Sequence, residues 1–209
     1  MQLSQLWLPY NPFMSEGKKE NENTESIIQR FKPTLNFLIR FGLIYGIGSL
    51  LYSLFIAHHD PKPDPITTLV SKNVAYTMNA FGQKVELYDV EEDPYVGVMY
   101  LDHYSVSIYE GCNGLAVMIL FVAFVVAFRG ANTNAMVWFI PLGILMIHLF
   151  NLLRLGLLIV INHYYTSMFH FYHKFLFTGI IYIFVLLLWV IWVRLQQSKL
   201  PLVSDKKSS

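Results

Sequence analysis

Cysteine is nearly absent from this chain: Cys112 is the only one in 209 residues. A single thiol cannot close an internal disulfide, and no CxxC or Cys/His zinc pattern can be built around it. Charge is scarce as well. Asp, Glu, Lys and Arg make up 14 % of the residues, where an average soluble domain has about 25 %. Fifteen basic and fourteen acidic residues leave a net charge of +1. No basic surplus is therefore present to neutralise the phosphates of a nucleic acid. Apolar bulk fills the place of charge: 55 % of the chain is hydrophobic, 16 % is aromatic, and the mean hydropathy is +0.44. Disorder, collagen, coiled coil and a water-soluble nucleic-acid binder are excluded. A small polytopic membrane protein remains, with length for one domain.

A bilayer core of ~30 Å needs about 20 apolar residues in a helix. Stretches that approach or exceed this run from Leu35 to Ala57, Cys112 to Phe128, Ala135 to Ile161 and Phe175 to Val193. The expected fold is an all-α polytopic membrane protein, a bundle of about four transmembrane helices with a small external α/β lid loop. Pro141 is expected to kink the third span, and Trp189 and Trp192 to anchor the fourth at an interface. No short apolar segment with a cleavage site precedes the first span, which reads as a signal-anchor. Nine basic residues fall on the side of the termini and four on the other, which places both termini in the cytoplasm. Residues 1–32 then read as a polar, mobile cytoplasmic tail, 33–198 as the membrane domain and 199–209 as a second cytoplasmic tail. The external side has a large loop, 58–111, and a short one, 162–174. Within the large loop Asp64-Pro65 is a helix start, followed at helical spacing by Ile66, Leu69, Val70, Val74 and Met78. Two β-rich runs between Tyr95 and Tyr109 flank Asp102-His103 as a hairpin.

The rare polar residues cluster on this map. Cys112 opens the second span within Glu110-Gly111-Cys112-Asn113-Gly114-Leu115. Arg154 lies in the third span, about seven residues or roughly 10 Å from its external end. His173 and His170 precede the fourth span. Three segments thus bring a thiol, a guanidinium and an imidazole to one leaflet: the nucleophile, charge stabiliser and proton carrier of a thiol acyl transfer. A free thiol ionises near pH ~8.5, so a neighbouring cation or base must raise its thiolate fraction. Glu110 works against a neighbouring anion. Each residue also has an ordinary reading: a lone Cys packs as a small hydrophobe, an Arg snorkels, and a His sits at an interface. Against this, His148, Asn151 and Arg154 form one polar stripe at i, i+3, i+6, which must face protein or water rather than lipid. His58-His59-Asp60 reads as loop surface, so neither metal nor cofactor is expected. The residues also admit a noncatalytic membrane scaffold, or a small anion-binding transporter that uses Arg154. A redox protein would need a resolving partner for the one thiol.

Glu110-Gly111-Cys112-Asn113-Gly114-Leu115, then Asn151-Leu152-Leu153-Arg154, then a His before the last span resembles the exosortase/archaeosortase family of membrane-embedded cysteine transpeptidases. The compact layout and the ending Tyr182–Val193 are similar to the short F-type exosortase branch, and the resemblance covers roughly Leu35–Arg194. It implies Cys112 as nucleophile, Arg154 as second and His173 as third catalytic residue, with His170 the alternative to His173 and Asn151, Asn113 and Glu110 in supporting places. Longer members have more spans, and many carry Ser where this chain has Asn113. The resemblance further implies a bacterial inner-membrane protein with its active site on the external face. Its substrate would be an exported protein with a C-terminal sorting tail: a short motif, a hydrophobic helix and a basic end. Cleavage would be followed by transfer to water or to a lipid or glycan acceptor.

Overall fold

Apolar segments in lipid have no water to satisfy their peptide groups, so they fold as helices. The computed structural model describes residues 12–89, 93–128, 133–165 and 178–197. It divides into two compact units, Met1–Arg40 and Phe41–Ser209. Helix α1 (Pro12–His59) begins well upstream of the expected first span, so residues 12–32, read as a polar tail, are helical. Among the described residues three helical segments are long and apolar enough to cross a membrane: Phe31–His59 of α1, α4 (Thr133–Tyr164), and Gly179–Gln197 of α5 (Thr178–Gln197).

The second expected span, Cys112 to Phe128, is shorter than its sequence implies. Helix α3 (Leu115–Ala127) has 13 residues, about 20 Å at 1.5 Å per residue. Glu110–Cys112 form a 3₁₀ turn instead, and Gly114, in the left-handed region at φ 83°, separates that turn from α3. Cys112 is thus outside the helix that was expected to begin with it.

Between α1 and α3 lies a small α+β layer. Asp64 starts α2 (Pro65–Ala80): its Oδ1 accepts from the backbone N–H of Ile66 at 2.9 Å and Thr67 at 3.0 Å, with Pro65 in the first turn. Strands β1 (Val85–Asp89), β2 (Tyr95–Tyr100) and β3 (His103–Tyr109) form an antiparallel sheet in the order β1-β2-β3. The β2–β3 turn is the two-residue pair Leu101-Asp102, both left-handed at φ 53° and 65°. Register runs from Tyr100↔His103 to Tyr95↔Tyr109, with a bulge at Val98/Met99.

Two apolar clusters result. One joins α2, the sheet and the C-terminal part of α4 through Val74, Val98, Ile108, Cys112, Leu155 and Ile159. The other joins α3, α4 and α5 through Phe121, Val125, Ile147, Val185 and Trp192. The expected tryptophan anchors turn inward: Trp192 is fully buried and stacks on Phe139 at 4.8 Å, and Trp189 stacks on Phe124 at 4.3 Å. Ring-on-ring packing covers more area than a place at the headgroups would. The opposite imbalance marks α2, where Leu69, Tyr76 and Phe81 are 56, 79 and 82 % exposed.

Candidate active site

The 3₁₀ turn that carries Cys112 is fastened from several directions. Asn113, fully buried, accepts from the Leu115 N–H through Oδ1 at 2.9 Å. Its Nδ2 donates to the Tyr52 hydroxyl at 2.7 Å and to Thr67 Oγ1 at 3.0 Å. Tyr52 in turn donates to the Glu110 carbonyl at 3.2 Å, and Thr67 donates to Asp64 Oδ2. Every hydroxyl in this relay both gives and receives, so α1, α2 and the turn are locked together with no polar group stranded.

From the other side α4 supplies Asn151 and Arg154. Asn151 Nδ2 and Arg154 Nη2 each donate to the Cys112 carbonyl at 3.0 Å. One turn earlier His148 Nε2 lies 3.2 Å from Asn73 Nδ2 of α2. The polar stripe of α4 therefore faces protein along its whole length. Gly114 lets it approach: a Cβ there would stand 3.2 Å from the Asn151 amide, besides straining the positive φ.

Arg154 is 8 % exposed. Among the described residues it has no carboxylate within ion-pair distance, since both ion pairs belong to Lys84. Its Nε, like Asn151 Oδ1, has no hydrogen-bond partner among the described residues. A cavity of about 70 Å³ adjoins Arg154, lined also by Phe150, Leu153, Leu157 and Ile180. A buried guanidinium without a counter-charge is costly, and it is an electrostatic reservoir for an anion that forms beside it.

The Cys112 side chain is 3 % exposed and contributes to the first apolar cluster. Burial alone would make it an ordinary packed cysteine. Its polar neighbours set it apart, and one of them escaped the sequence reading. Tyr109, the last residue of β3, has its phenol beside the Cys112 sulfur, close enough to interact with it. The charge of that sulfur, then burial, push the Tyr109 phenol above its ordinary value, and Arg154 pulls it back. Tyr52, Thr67, Asp64 and Asn73 were also missed as site residues; only Asp64 carried a signal, as a helix cap. His173 and His170, the candidate proton carriers, lie outside the described residues. Glu110 contributes its backbone carbonyl to the relay.

The family model for the transmembrane exosortase matches residues 37–193, well over half of the chain. The chain belongs to the transmembrane exosortase family. No curated protein and no solved structure gives a match. In this exosortase the matched region holds Tyr52, Tyr109, Cys112, Asn151 and Arg154, together with all three apolar helices over most of their length. The protein is a multi-pass membrane protein.

Proposed function

We propose that this exosortase is a membrane cysteine transpeptidase that cleaves a C-terminal sorting tail from exported proteins at the outer face of the bacterial inner membrane. The observation that carries the proposal is Arg154: a buried guanidinium with a free Nε, without an acidic partner among the described residues, held against the residue that owns the only thiol. The Cys112 thiolate attacks the scissile carbonyl, forming the C–S bond while the carbonyl electrons move to oxygen. Arg154 stabilises the resulting oxyanion through its free N–H. The tetrahedral adduct collapses, the C–N bond breaks, and His173 protonates the departing amine. The acceptor, water or a lipid or glycan, then attacks the thioester and gives its proton to His173, the C–S bond breaks, and the thiolate is released. Asn151 and Asn113 hold the backbone of the nucleophile in place, and Glu110 acts through its carbonyl.

Two further features support this reading. Arg154 lies about seven residues, or roughly 10 Å, from the external end of its apolar stretch, in what we read as the outer leaflet, the side on which a tail helix would present its scissile bond. A groove of about 290 Å³ between α2 and α4, lined by Val74, Met78, Phe81, Leu149, Leu153 and Leu157, offers that helix an apolar wall. We further read the chain as a member of the short F-type branch, from its compact layout and its ending Tyr182–Val193. The test is co-expression with an exported protein that ends in a short motif, a hydrophobic span and basic residues, followed by its size shift. Cleavage is expected with the wild type and none with Cys112→Ala; full cleavage by Cys112→Ala would end the thiol mechanism and leave a scaffold.

A further inference from the structure

We propose that Tyr109 is a further catalytic residue: its hydroxyl donates a hydrogen bond to the Cys112 sulfur and holds it as the thiolate, and Gly111 is glycine so that the Tyr109 ring can lie across it. The inference rests on the reading of Cys112 as the nucleophile. Tyr109 ends β3 in an extended conformation (φ −120°, ψ 176°) and immediately precedes the 3₁₀ turn, yet its side chain caps no backbone N–H of that turn. The ring folds back over the turn instead. A Cβ on Gly111 would stand 2.6 Å from Tyr109 Cε2, 3.2 Å from Cδ2 and 3.5 Å from Cζ, so the ring covers the face of Gly111 that any other residue would fill.

Core packing does not explain this placement. Tyr109 is 41 % exposed and belongs to neither apolar cluster. The hydroxyl does explain it. The sulfur is shut away from water, where an anion is favoured only by donors aimed at it. Arg154 spends Nη2 on the Cys112 carbonyl, and the phenol supplies an O–H at the sulfur itself. Arg154 also acts electrostatically on Tyr109, so the phenol feels both the thiol and the guanidinium. During acylation the sulfur loses its charge to the C–S bond, and the phenol keeps its proton throughout; the donor holds the nucleophile without being consumed.

Cys112 is the only thiol in the chain, so alkylation reports on it alone. The experiment follows the rate of iodoacetamide alkylation of the full-length protein in detergent across pH. At pH 7 Tyr109→Phe should react about tenfold more slowly than wild type, the loss expected for one hydrogen bond to a charged group. The gap should close at alkaline pH, where the thiol ionises without help. Gly111→Ala should slow the wild type similarly by displacing the ring, and should add nothing on top of Tyr109→Phe. Thermal unfolding of each variant separates these effects from misfolding, and Tyr109→Phe keeps the ring. An unchanged or faster rate in a folded Tyr109→Phe would overturn the inference. If it does so while tail cleavage still needs Cys112, the proposed function stands without Tyr109. If Cys112→Ala cleaves the tail although Tyr109→Phe slows alkylation, the hydroxyl–thiol pair stands and the proposed function falls.

Discussion

Arg154 and Lys differ most where a planar fork is in use. Arg154 holds the Cys112 carbonyl with Nη2, and its Nε has no partner among the described residues, whereas an ammonium on a flexible stem could not span both positions. Arg154→Lys should therefore lose about 10²-fold or more in tail cleavage, the usual cost of one oxyanion donor, with normal membrane insertion. Cys112→Ser should be as inactive as Cys112→Ala, because an alkoxide forms far less readily than a thiolate. His173→Ala should keep a residual rate, about 10²–10⁴-fold down, since only proton transfer is removed. His170→Ala should be milder if His173 is the proton carrier. All are read from the size shift of the same substrate. Asn151→Ala leaves the Cys112 carbonyl with a single donor, and should lower stability by about 1 kcal/mol in thermal unfolding. At this scale the sequence was informative about identity and face. A lone thiol needs no alignment to be noticed, and the spacing of His148, Asn151 and Arg154 placed them on one side of a helix. The atoms they reach were not legible: Asn151 and Arg154 meet a backbone carbonyl, and His148 meets Asn73.

Helix α2 joins local sequence to the site. Asp64 caps it and also accepts from Thr67, which receives Asn113 and so steadies the turn before α3. Asp64→Ala should cost about 1–2 kcal/mol as a lost cap, and cleavage should fall with it because the Thr67–Asn113 link loosens. Thr67→Val, which leaves the cap intact, should impair cleavage with a smaller loss of thermal stability; equal losses in both would separate α2 from the site. The outer face of the same helix presents Leu69, Tyr76 and Phe81 beside Lys72, the pattern of a helix lying in a membrane interface. Phe81→Trp should give a fluorophore quenched by lipids brominated near the headgroup and shielded from aqueous iodide; iodide quenching alone would place α2 in water. The Asp64-Pro65 pair and the alternation from Tyr95 to Tyr109 were readable because caps and period-two patterns are local. β1 was not, since Val85–Asp89 becomes a strand only through its partner β2.

For the whole molecule, the nine-to-four division of basic residues predicts both termini in the cytoplasm, and that expectation calls for an even number of crossings. Among the described residues three helices meet the length for crossing; on that reading α3, at 13 residues, would be the fourth, with help from its flanking turns or from a locally thinned bilayer. Reporter fusions after Phe128 should read cytoplasmic and those after Asp89 external; the reverse would place Cys112 on the wrong face for exported substrates. Composition and hydropathy by themselves determined that this is a multi-pass membrane protein, where its apolar segments lie, and that Cys112 and the Arg154 stripe are the unusual residues in them. Those properties depend on side-chain type and short-range spacing. Tertiary structure alone decided that Trp189 and Trp192 pack inward, that Tyr52, Thr67 and Asn113 form one relay, and that the Tyr109 ring lies across Gly111. The relay joins elements 46 to 61 residues apart, and the ring of Tyr109 must settle within ångströms of a single Cα. Hydrogen bonds require donor and acceptor within a few tenths of an ångström, a placement set by how whole helices and strands pack, which no local pattern encodes.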